Sequence, residues 1–374
     1  MLYVRKYLLY FLVFIFSFTY GAYVVKFQIF PYSIYARVRS YYNPVSYKPY
    51  SKIQIDSFTR IFSKRLVVKP SNVDSLRSAI KKIVFGLSTL PSYFPASISK
   101  VIDSAYLDLA ELGKIEEFRV DLPLGFNSIG YIFYPGKSNN RLVLYYQGHD
   151  GDFIFGKSTI SYFLRKGYTV YAFSLPLLGK NNQPAVHTKD YGTIQFGSSH
   201  DVFKFLPNPL SYFIAPVIVM INHAEKTSFK SISMIGISGG AWATTLAAAL
   251  DTRINFSFPV AGTYPFIIRF IRPESNYGDF EQLYPPLMQS VDYLDLYLLG
   301  SVGKSRSQTQ ILNLYDPCCF NGYEYQLYSR FLSLETLKYQ YARFNLFSDT
   351  LNRSHSISIR SLDLISHEID TFSN

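Results

Sequence analysis

The chain has 374 residues, 48% of them hydrophobic and 17% charged, so it can hold one large domain with an appendage and is too apolar to be disordered. A formal charge of +11 invites a nucleic-acid or anionic-membrane reading, but the Lys and Arg are scattered in runs of two at most, and a diffuse solvated surface with no nucleic-acid partner is expected. The two cysteines, Cys318 and Cys319, are adjacent and bridge only through a strained ring, which excludes a disulfide framework.

Tyr7 to Val25 is an uncharged run preceded by Arg5 and Lys6, long enough to span a bilayer once. Cleavage after Ala22 would put Tyr20 where a signal peptidase wants a small residue, so residues 1–26 are expected to be an uncleaved membrane anchor, with a secreted protein as the alternative if the segment is removed. Residues 27–113 read as a helical extension, with helical periods over Val73–Leu87 and Ile98–Leu112 and Gly113 as the stop.

After Gly113 the pattern becomes strand and helix in alternation. Strands are expected at Lys114–Leu122, Ile129–Tyr134 and Arg141–Tyr146, the last running into QGHDGD (Gln147–Asp152). A helix near Lys157–Lys166, a strand at Thr169–Phe173 and a helix at Pro207–Asn222 follow. Further strands are expected at Ile254–Val260, Thr309–Tyr315 and Arg343–Phe347, with a closing helix whose buried face carries Leu362, Ile365, Ile369 and Phe372. Such alternation predicts an α/β fold with a mostly parallel central sheet and helices on both faces.

Ser231–Leu250, SISMIGISGGAWATTLAAAL, is the stretch richest in chemistry. An apolar β-branched strand, the pentapeptide GISGG and an Ala-rich helix describe a nucleophile elbow, whose tight turn lifts the Ser238 hydroxyl clear of the sheet. A serine hydroxyl is hardly ionised at neutral pH, so it needs a base to take its proton.

With the elements in this order, residues 114–374 resemble the α/β-hydrolase superfamily, of the serine esterase and lipase-like kind. The resemblance implies a triad in the order nucleophile, acid, histidine, each on a loop after a particular strand. Ser238 is then the nucleophile, Asp316 after the penultimate strand the acid, and His355 after the last strand the base. His367 lies off the buried stripe of the closing helix, and Asp349 suits a turn better than the triad. Asp292 and Asp295 read as surface or lid residues.

The oxyanion hole would use the backbone amides of Gly239 and, after a Gln147-Gly148 that departs from the usual His-Gly, of His149. Residues 263–307 occupy the place of a lid-like insert, whose aromatics (Tyr264, Phe266, Phe270, Tyr284, Tyr293, Tyr297) line a substrate pocket or pack the core. The implied activity is hydrolysis of a small-molecule, carbohydrate or lipid carboxylic ester through an acyl-enzyme, without cofactor or metal. A non-catalytic interaction protein of the same fold, or a peptidase or acyltransferase, is the alternative. His187, His200 and His223 have no assigned chemistry. A metal site at His149, Asp150 and Asp152 is the minor alternative, and the cysteines read as small buried hydrophobes.

Overall fold

The computed structural model describes residues 2–27, 31 and 47–372, in two compact units, 1–48 and 49–374. The first contains helix α1 (Leu2–Phe27), whose segment Lys6–Val24 has mean hydropathy 1.7. Leu8, Phe11, Phe14 and Phe18 are all exposed on it. Length and composition suit a membrane span, and a signal sequence near the N-terminus has the same character.

The second unit opens with helices α2 (Lys52–Arg65) and α3 (Val73–Phe85). A capping box between Ser51 and Gln54 starts α2, and Gly86 in the left-handed region ends α3. Strands β1 (Ser97–Val101), β2 (Leu112–Asp121) and β3 (Asn127–Pro135) come next. The Ile98–Leu112 stretch, expected as a helix, is thus β1 and a short turn. It is an edge strand carrying Lys100, only partly buried, so no clear period of two marks it in the sequence.

The remaining main elements alternate. They are β4 (Arg141–Tyr146), α4 (Lys157–Arg165), β5 (Thr169–Phe173), a small hairpin of β6 (Ala185–Thr188) and β7 (Gly192–Gln195), α5 (Ser211–Ala224), β8 (Ser231–Ile237), α6 (Gly239–Leu250) and β9 (Phe256–Val260). Short helical turns lead to α7 (Tyr293–Ser301), followed by β10 (Ser307–Asn313), α8 (Ser329–Thr336), β11 (Phe344–Asp349) and α9 (Ile359–Phe372).

The main sheet has the order β1-β2-β3-β5-β4-β8-β9-β10-β11. Pairs from β5 through β11 are parallel, and β1, β2 and β3 extend the sheet with antiparallel pairs. Both faces are covered. Leu142, Leu144 and Tyr146 of β4 point into a core with α5, α6 and α7, while Val143 and Tyr145 point into a second core with α4 and α9. This alternation explains why the parallel strands read as continuous apolar runs. The parallel strands end together at one edge, where Tyr146 pairs with Gly236, Ile237 with Val260 and Asn313 with Asp349. Loops leaving that edge carry the candidate chemistry.

Candidate active site

Ser238 joins β8 to α6 with φ 57° and ψ −121°, a conformation that costs free energy for any residue with a side chain. Small neighbours make the turn possible. A Cβ at Gly240 would lie 2.1 Å from the Tyr146 carbonyl oxygen, and one at Gly148 would lie 2.7 Å from Ser238 Cβ. The hydroxyl side chain is left half-buried at the sheet edge.

Asp316 follows β10 and is buried. Its Oδ1 accepts from the amides of Cys318 (2.8 Å) and Cys319 (3.4 Å), and its Oδ2 accepts from Asn313 Nδ2 at 3.2 Å. The Asn313 amide group also donates to the carbonyls of Ser354 (3.3 Å) and Ser356 (3.1 Å), which fixes the loop that carries His355. His355 Nδ1 lies 3.0 Å from each oxygen of Asp316. Burial works against charging this imidazole, but the Asp316 hydrogen bond and charge prevail and raise it to about 9. Among the described residues no hydrogen bond joins Ser238 to His355. Catalytic contacts of this kind commonly tighten only with substrate bound.

The competing residues lie elsewhere. Asp349 accepts from the Leu351 and Asn352 amides and from Ser358 Oγ, so it closes the turn after β11. His367 is exposed on α9. Asp292 and Asp295, expected at the surface or in a lid, are buried. They form the capping box of α7, and Asp295 Oδ1 also takes the amides of Val67 (2.8 Å) and Val68 (2.7 Å). Cys318 is exposed and Cys319 half-buried, not the buried hydrophobes expected, because their amides turn toward Asp316. A hydrogen bond from Cys319 lowers the Cys318 thiol to about 7.

The loop after β4 lies against the elbow. Gln147 accepts from the Tyr145 hydroxyl and donates to Asp150 at 2.7 Å, which braces the loop in place of the usual histidine. The His149 ring packs over Gly239, where a Cβ would sit 2.3 Å from His149 Cε1. Among the described residues neither the Gly239 nor the His149 amide donates a hydrogen bond, so both remain available to an oxyanion.

Asp152 caps the following turn through Ile154 N, so Asp150 and Asp152 do not join His149 as ligands. His149 meets Glu281 instead, at 2.7 Å from Nε2 to Oε1. Burial opposes charge on His149, and the Glu281 carboxylate raises it nonetheless. Glu281 and His200, which lies 3.7 Å from the same carboxylate, were not legible from the sequence. They sit on separate short turns far apart in the chain, with no local spacing to link them.

His149 also borders a cavity of about 740 Å³ whose wall includes His200, Lys204, Asp279, Phe280 and Tyr284. Four of the six insert aromatics take one of the two roles weighed for them, while Phe266 is half-buried and Phe270 exposed outside the cavity. Tyr264, Tyr293 and Tyr297 are fully buried in the core, while Tyr284 lines the cavity.

Strand order, elbow and loop placement together give the chain the α/β-hydrolase fold. No family profile and no curated protein sequence matches it. Solved structures do. Acetyl xylan esterase 1 from Thermoanaerobacterium sp. JW/SL YS485 superposes with a TM-score of 0.55 at 11% identity, over 87% of this chain and 100% of that one. An acetyl xylan esterase from Paenibacillus sp. R4 gives 0.55 at 14% identity over 86% and 99%. The methylesterase BT1017 gives 0.57 at 14% identity over 87% of this chain and 70% of its own.

Proposed function

We propose that the chain is a serine hydrolase that cleaves carboxylic esters, with residues 1–26 as its membrane anchor. The observation that carries the reading is the pairing of His355 with Asp316 at 3.0 Å on loops from the same sheet edge as the strained Ser238. Ser238 Oγ attacks the ester carbonyl, and His355 Nε2 takes its proton as the bond forms. Asp316 holds Nδ1–H and stabilises the imidazolium. The Gly239 and His149 amides receive the oxyanion, His355 protonates the departing alkoxide, and water releases the acyl group by the same steps.

The substrate class is a short acyl ester on a sugar or similar polar alcohol. A cavity of about 740 Å³, with Lys204, Asp201 and Asp279 beside Phe280 and Tyr284, has the size and mixed lining for one. Solved structures of the same fold that bear the names acetyl xylan esterase and methylesterase support this choice. Residues 263–307 act as the lid-like insert over it. Hydrolysis of acetylated sugars and of p-nitrophenyl esters of increasing chain length tests the assignment. Acetyl esters should be cleaved fastest, with turnover lost in Ser238→Ala. A preference for long acyl chains would contradict the substrate class, and no Ser238-dependent turnover of any ester would contradict the activity.

A further inference from the structure

Outside the Ser238, His355 and Asp316 set, three side chains converge where the insert meets the loop after β4. His149 Nε2 lies 2.7 Å from Glu281 Oε1, and His200 Nδ1 lies 3.7 Å from Glu281 Oε2. Ligand atoms of all three fall within 4.8 Å of one another. Glu281 is 0% exposed, yet its Oε2 has no hydrogen-bond partner among the described residues. A buried carboxylate oxygen left in that state is destabilising.

The far side of the His200 ring sets where its proton sits. His200 Nε2 lies 2.9 Å from the Pro176 carbonyl, which only accepts, so Nε2 carries the proton and Nδ1 presents a lone pair. His149 lies between two carboxylates, with Nε2 2.7 Å from Glu281 Oε1 and Nδ1 3.4 Å from Asp279 Oδ2. The His200 lone pair then meets the Glu281 carboxylate, acceptor against acceptor. A proton on His149 Nε2 would serve Oε1 alone and leave Oε2 opposite the His200 lone pair. A divalent cation among them takes one ligand atom from each residue and balances the buried carboxylate. An acceptor on the outer nitrogen of each histidine is also the usual support of metal-ligating imidazoles.

We propose that His149, His200 and Glu281 form a zinc site. Two imidazoles and a carboxylate are a zinc donor set, and tetrahedral bonds of about 2.1 Å hold donors about 3.4 Å apart. The contacts of 2.7 and 3.7 Å, made to the two oxygens of Glu281, lie on either side of that value, and one ligand atom from each residue lies within 4.8 Å of the others. His149 and His200 line the cavity, so the fourth position opens to water or a substrate oxygen there. The ion joins three segments that are distant in the chain: the loop after β4, the turn beginning at His200 and the insert. Since the His149 ring packs on Gly239, the ion also fixes the wall beside the oxyanion amides. The site does not rest on the catalytic reading, since Ser238 has no part in it.

The test uses the full chain, untagged and in detergent, with metal content measured by mass spectrometry after incubation with zinc and dialysis. About one zinc per chain is expected in the wild type and in Ser238→Ala, with loss in His200→Ala and Glu281→Gln. Chelation should lower the melting temperature of the wild type. Cobalt titration of the unaltered chain needs no variant to fold and should give the visible d–d bands of a tetrahedral site. Zinc below about 0.1 per chain with no such cobalt bands would overturn the proposal, and so would equal zinc in wild type and His200→Ala.

Discussion

Ser238, Asp316 and His355 are each fixed by a different physical device. Ser238 is held by the strained elbow at φ 57°, Asp316 by two backbone amides and Asn313, and His355 by Asp316. Replacing Asp316 with Asn should keep the shape but favour the wrong tautomer, lowering kcat about 10,000-fold in steady-state assays. The His355 shift has a sign that can be checked. Its value of about 9 lies above the ordinary 6.5, so the charged pair's contribution to stability is complete below pH 6.5 and is lost as pH rises through 9. On the proposed mechanism the imidazole must be neutral to accept the Ser238 proton, so kcat/KM should climb with pH until about 9. A plateau reached by pH 6.5 would show that Asp316 does not raise His355 in solution. Placing these three in the sequence was possible because each follows a strand whose apolar run is recognisable. His200 and Glu281 follow no such landmark, and their partnership exists only once three loops have folded together.

Helix α6 organises the elements around the elbow. Its apolar and Ala-rich body is wholly buried, and its last carbonyls are met by arginines from two other segments. Arg77 Nε donates to Ala249 O at 2.9 Å, and Arg306 Nη2 to Ala248 O at 2.5 Å. Two buried cations at the negative end of a helix follow from its unsatisfied carbonyls and dipole. Arg306→Ala leaves the Ala248 and Ile254 carbonyls without this donor and should destabilise the fold by about 2–4 kcal/mol in chemical denaturation. At the other end, Gly148→Ala would set a Cβ 2.7 Å from Ser238 Cβ. It should reduce kcat well before it changes the melting temperature. The central strands and α6 were readable because burial on both faces imposes continuous apolar composition. β1 was not, because a short edge strand buries too little to impose a pattern.

At the scale of the whole molecule, helix α1 and the sheet-containing unit are separate compact bodies. If α1 anchors the chain, deleting residues 1–26 should move the protein from the membrane fraction to the soluble fraction, with kcat/KM on a soluble ester within about two-fold of the full chain. Retention in the membrane would assign attachment to the larger unit. Strands alternating with helices were enough to foresee a two-faced, mostly parallel sheet, and the pairs from β5 to β11 are parallel. Residues 49–374 form one unit, so the sheet begins at Ser97, ahead of the expected start at residue 114. The central claim, that Ser238 is an activated nucleophile, is tested most directly by a serine-directed fluorophosphonate with intact-mass detection. One adduct per wild-type chain, located on Ser238 and absent from Ser238→Ala, is the predicted result. An unlabelled wild type, or equal labelling of Ser238→Ala, would contradict it.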